Sequence, residues 1–227
     1  VSFQGIQRGN PNGMVKLIIP IMEKLRAENE IKAEYFVSHI DGYDGDLNIS
    51  AVSQLYTLFL RILQFLNKRI LNLPVYVIRY IQEIVYDYFV CQRIDRAKVI
   101  LSTAYLSRSY KRNTGYGGIN IFIAGNPDDC EIYRVLKEEE KTYNIEIYDA
   151  YTYKRRVKFV EKSTNIADHI VTLSSSEHET YSKRFGENRI SFVEHYIIPV
   201  ASKFPERNIA KNSILTFCFV SHSFWLK

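Results

Sequence analysis

Apolar and polar positions along this chain follow two rhythms. Short apolar runs bounded by turn residues recur, and between them lie stretches with an apolar residue at every third or fourth position. The clearest unit spans 166–200. There an apolar run over 169–173 predicts a strand, a Ser-rich turn opens a short helix over 175–185, Gly186 stops it, and a second strand over 190–196 runs to Pro199. Ser175 or Ser176 is expected to accept a backbone N–H at the helix start, with Glu177 and Glu179 favourable near the positive end of its dipole. Turns of this kind lie at the carboxyl edge of a sheet, where open α/β folds bind ligands.

The same rhythm continues upstream. Strands are expected over 31–39, 98–103 and 120–124, and helices over 14–26, 105–114, 130–143 and 150–165. Pro20 should kink or shorten the first of these helices. Two further helical runs, 52–71 and 75–94, are divided by Pro74, and their apolar positions exceed a single stripe. Alternating strands and helices predict an α/β fold with a Rossmann-like, doubly wound, mostly parallel sheet.

Composition narrows the picture modestly. A chain of 227 residues fits one large domain, or a domain plus a fragment. The net charge of +5 suits acidic partners such as nucleotide phosphates or an anionic membrane surface, but it also suits ordinary basic proteins. Cys91, Cys130 and Cys218 are odd in number and widely spaced, without a CxxC pair, so neither a disulfide framework nor a zinc site is indicated. A cytoplasmic location is expected. The abrupt start at Val1 and the stop at Lys227, just beyond an apolar strand, read as a piece of a longer protein.

Candidate chemistry is sparse. The loop from Gly5 to Gly13 feeds a helix, and a loop rich in glycine at a helix start can receive an anion. Asp44-Gly-Asp46 is a DxD tripeptide of the kind that holds a divalent cation on a diphosphate, but such tripeptides are common in turns, and no metal site is expected. Asp128 and Asp129 follow a strand. One of them can orient a hydroxyl or act as a base if its pKa is raised, and either can equally cap the next helix. The cations Lys154, Arg155, Arg156, Lys158 and Lys162 read as a solvated face, and nothing beside them supports nucleic-acid binding. The 51–94 segment reads as a helical pair packed on the sheet, with peripheral contact to the inner face of a membrane as the sharper alternative.

The wording ADHIVTLSS, then ISFVEHYIIPV, then LTFCFVSHSFWLK resembles the late first domain, linker and second-domain opening of a family-4-like glycosyltransferase of the GT-B type. The resemblance runs at low identity through most of the chain. It implies an acceptor-side domain over 1–198, a linker over 199–213 and the start of a donor-binding domain over 214–227. It also implies sugar transfer from a nucleotide-sugar donor to a hydroxyl acceptor, with retention and without a bound cofactor. Gly13 would let backbone approach the donor phosphate, with Asn12 beside it, and Ser175 and Ser176 would lie on acceptor-side loops. His222 stands where the family carries Arg, Ser221 replaces a Gly, and Lys227 falls on the family's Lys, a cation suited to a diphosphate leaving group. The chain departs from the family in lacking a His between Ala104 and Ala167, so Asp128 and Asp129 are the polar groups left for acceptor chemistry. A non-catalytic α/β binding domain and a sugar-nucleotide epimerase of the same architecture are the alternatives.

Overall fold

Four strands join in chain order, each parallel to the last, in the main sheet: β5 (Val99–Ser102), β6 (Ile119–Ile123), β7 (His169–Thr172) and β8 (Ile190–Phe192). The computed structural model describes residues 6–7, 24, 27, 34–38, 40–41, 49–94 and 97–193. Helices fill the connections, because parallel neighbours need a crossover rather than a tight turn. They are α3 (Ser107–Gly115), the pair α4 (Asp129–Tyr143) and α5 (Lys154–Ile166), and α6 (Ser175–Phe185). Register places Ser102, Phe122, Ile170 and Ile190 in one row across the sheet, and all four side chains are buried. Tyr110 and Tyr181 join the core around them.

Earlier in the chain β2 (Tyr35–Val37) pairs parallel with β4 (Ile49–Ala51), and β1 (Ile6–Gln7) pairs parallel with β3 (Ile40–Asp41). Every described ladder is therefore parallel, so the chain is α/β with parallel sheets. None of β1, β3 and β4 was expected from the sequence, where 5–13 reads as a loop, 41–45 as an Asp-Gly turn and 51 as the edge of a helical run. Two- and three-residue strands are too short to display a period of two.

The helical run beginning at 52 divides in the structure. α1 (Gln54–Leu66) is capped by Ser53, whose hydroxyl accepts from Leu55 N at 3.1 Å, and it ends in a π-turn, Asn67–Leu71. The Asn67 amide then clasps Leu73, donating to its carbonyl at 3.3 Å and accepting from its N–H at 2.6 Å, while Asn72 adopts a left-handed φ of 45°. Pro74 opens α2 (Val75–Arg93), where its missing N–H costs nothing. Tyr56 of α1 meets Tyr86 and Phe89 of α2 at ring distances of 5.3 and 5.9 Å, so the start of one helix packs on the end of the other in a hairpin.

α2 is tied to both halves of the described structure. The Tyr86 hydroxyl donates to the Phe36 carbonyl at 3.3 Å. Asp87 accepts from the N–H groups of Arg108 and Ser109 at 2.7 and 3.0 Å and from the Ser109 hydroxyl at 2.7 Å. It thereby caps α3 from another helix, because Leu106 at the cap position has no side-chain acceptor. Of the helix expected over 14–26 only Lys24 is described, and it is helical; the linker over 199–213 and the opening of a second domain at 214 lie outside the described residues.

Candidate functional site

The carboxyl edge of the main sheet is built from the loops after β5, β6 and β7. After β7 the chain forms a capping box: the Ser174 hydroxyl accepts from Glu177 N at 3.3 Å, and Glu177 Oε2 accepts from Ser174 N at 3.1 Å and Leu173 N at 2.8 Å. The cap is thus Ser174, one residue before the serines the sequence pointed to. Ser175 and Ser176 are the first helical residues and are exposed at this edge. The signal for Ser174 was present, since a Ser followed three residues later by Glu is the capping-box spacing.

After β6, Gly125 and Asn126 are exposed but the two carboxylates beyond them turn inward. Asp128 is 2% exposed, and both of its carboxylate oxygens accept from Arg184 Nη1 at 2.9 Å, while its Oδ1 also accepts from Cys130 N at 3.4 Å. Burial pushes the Asp128 carboxyl above its usual range, and Arg184 offsets this only in part. Asp129 is fully buried, accepting from the Tyr105 hydroxyl at 2.8 Å and from Arg156 at 2.7 Å. Arg156 is itself 1% exposed and forks onto Glu83 of α2 at 2.9 and 3.1 Å, with the rings of Tyr105 and Tyr151 about its guanidinium at 5.6 and 5.5 Å. Burial works against its charge, but Glu83 and Asp129 outweigh that and keep it protonated.

This cluster corrects one expectation. Arg156 does not belong to a solvated basic face. The buried side of α5 is Arg156, Val157, Val160, Ser163 and Thr164, a helical spacing on which Arg156 falls and Lys154, Arg155, Lys158 and Lys162 do not. The sequence therefore held the signal in its periodicity, although nothing in it named Glu83 or Asp129 as partners. The arrangement also changes how the Asp pair is understood. Both carboxylates are buried and paired with arginines inside the protein, where they lock α4 to α2, α5 and α6. A base facing an acceptor would have to be open to it. Cys130 has its thiol pushed up to about 11, chiefly by burial, and is not a poised nucleophile.

A second edge feature went unforeseen because β4 did. At the carboxyl end of β4 an open recess of about 530 Å³ is lined by Ser53 and Gln54 at the start of α1 and by Phe89, Gln92 and Arg93 at the end of α2. Arg93 stands 5.5 Å over the Phe36 ring. The lining offers hydroxyl, amide and guanidinium groups beside an aromatic wall, a combination able to hold a small polar or anionic group.

Gly13, Asn12, His222 and Lys227, the positions expected at a donor phosphate, lie outside the described residues, as does Asp44-Gly-Asp46. Among the described residues no group of three His, Cys, Asp or Glu is placed to hold a metal ion. Nor is any described helix long and apolar enough to cross a membrane. No family model, no curated protein and no solved structure matches the chain.

Proposed function

We propose that this chain is the acceptor-side, Rossmann-like domain of a nucleotide-sugar glycosyltransferase of GT-B architecture, transferring a sugar to a hydroxyl acceptor. One structural observation carries the reading: the polar recess with Arg93 and the exposed serines of α6 both sit at carboxyl ends of parallel strands, the edge at which open α/β sheets receive ligands. The resemblance of the 166–227 stretch to that family supplies the reaction class. In this reading Gly13 and Asn12 approach the donor phosphate. His222 lacks the bidentate fork and the permanent charge of an Arg, so neutralising the diphosphate falls to Lys227.

The test uses the full-length protein with a panel of nucleotide sugars, following release of nucleoside diphosphate. Sustained turnover is expected with at least one donor. Lys227→Ala should lower the rate by roughly a hundredfold or more, the scale of removing one preorganised electrostatic group, while Lys162→Ala on the exposed side of α5 should leave it unchanged. No turnover with any donor, or equal small effects of the two substitutions, would favour a non-catalytic α/β binding domain. A specific observation already points that way: Asp128 and Asp129 are both engaged by arginines.

A further inference from the structure

The tip of the α1–α2 hairpin carries an apolar surface that nothing described covers. On α1, Leu55, Leu58, Ile62 and Phe65 are 65, 52, 48 and 62% exposed, and their spacing of three and four residues sets them in one stripe. The stripe continues past the helix through Ile70 at 71%, Leu71 at 46% and Val75 at 84%. An exposed turn is ordinarily polar, with residues chosen for turn geometry. This one has a well-built turn, held by the Asn67 clasp and left-handed Asn72, yet it presents isoleucine, leucine and valine outward. Apolar side chains held out on an ordered protrusion are groups available to a second phase.

Charge decides which. Between Asp46 and Glu83 the sequence has no acidic residue but carries Arg61, Lys68, Arg69 and Arg79. Arg79 is paired with Glu83 at 3.2 Å. Arg61, Lys68 and Arg69 are exposed, and no ion pair joins them to any described residue. At about 100° per residue Arg61 and Lys68 border the apolar stripe on its polar side. A second copy of the chain laid against this face would bring like charges together around the apolar contact. An anionic surface would be attracted by the cations while receiving the side chains between them.

We propose that the α1–α2 hairpin docks on the anionic headgroups of a lipid bilayer, inserting Ile70, Leu71 and Val75 at the headgroup boundary with Lys68 and Arg69 beside them. The contact is peripheral, and it does not depend on the glycosyltransferase reading. The experiment is flotation of the full chain with vesicles of phosphatidylcholine alone and of phosphatidylcholine with one third phosphatidylglycerol. Binding is expected to the anionic vesicles and to fall with added salt. Ile70→Ser/Val75→Ser and Lys68→Glu/Arg69→Glu should each weaken it about tenfold or more, with unchanged melting temperatures because all four residues are exposed. Lys158→Glu/Lys162→Glu on α5 removes the same charge elsewhere and should weaken binding no more than about twofold. An equal loss from the α5 variant would mean diffuse electrostatic adsorption and would overturn the proposal. So would absence of binding, as expected if another part of the chain covers the face. A concentration-dependent dimer abolished by Ile70→Ser/Val75→Ser would assign the face to self-association instead.

Discussion

Arg156 shows how far one residue's role is set by its surroundings. Its guanidinium reaches carboxylates on two other helices, Glu83 on α2 and Asp129 on α4, from a fully buried position on α5. Removing one member strands the opposite charges in a medium that solvates them poorly, and such losses run to about 3–5 kcal/mol. Arg156→Met is therefore expected to lower stability by about that amount, read as a shift of the urea midpoint at constant slope. Removing the charges together, with Glu83→Leu, Asp129→Leu, Arg156→Met and Tyr105→Phe in one variant, should recover much of the loss, since a buried ion cluster is worth little against well-packed apolar groups. A small effect of Arg156→Met alone would mean that water reaches the cluster. Tyr181 lies on the other side of this balance, being fully buried with its hydroxyl unpartnered among the described residues.

At the level of elements, the strands and helices with strong periodicity were legible. The helix expected over 175–185 has those bounds, and the strands expected over 98–103 and 120–124 are β5 and β6 with ends trimmed by one residue or moved by one. What escaped was whatever depends on partners distant in sequence. The short strands β3 and β4 exist only through pairing, and Asp87 caps a helix that begins twenty residues later, at Ser107. Gly118 is the clearest case of a residue whose reason is tertiary: a Cβ there would lie 2.4 Å from the Ala97 carbonyl oxygen, so only glycine lets α3 turn into β6 beside the strand before it. The reassigned cap at α6 yields a direct prediction. Ser174→Ala removes the acceptor of Glu177 N and should cost about 1 kcal/mol, whereas Ser175→Ala and Ser176→Ala, both exposed and past the cap, should change the melting temperature little. If Ser175→Ala proved the costly one, the helix would start where the sequence first suggested.

Across the whole molecule, the described structure concentrates its stability in one sheet and leaves its chemistry at the edges. The middle row of that sheet is covered at every strand, and helices α3 and α5 pack together beside it, so β6 and β7 cannot lose contacts without opening the core. The hairpin tip is the opposite case, with apolar side chains that contribute little to folding because they remain in water. This division explains why the fold class could be read from pattern while the site could not. Burial imposes a period on sequence, whereas an edge that binds a ligand or a surface imposes only local chemistry. It also makes the two regions separable by experiment. Ile170, fully buried in the centre of the row, should cost about 2–5 kcal/mol when cut to alanine, from lost transfer energy and the cavity left behind. Val75→Ala, at 84% exposure, should stay within about 0.5 kcal/mol. The same contrast should appear in native-state amide exchange: the N–H groups of β6 and β7 are expected to exchange only through global unfolding, and those of 67–73 through local opening at far lower cost. If Val75→Ala were destabilising on the scale of Ile170→Ala, the tip would be packed against another part of the chain in solution, and a hairpin free to meet a bilayer would no longer be tenable.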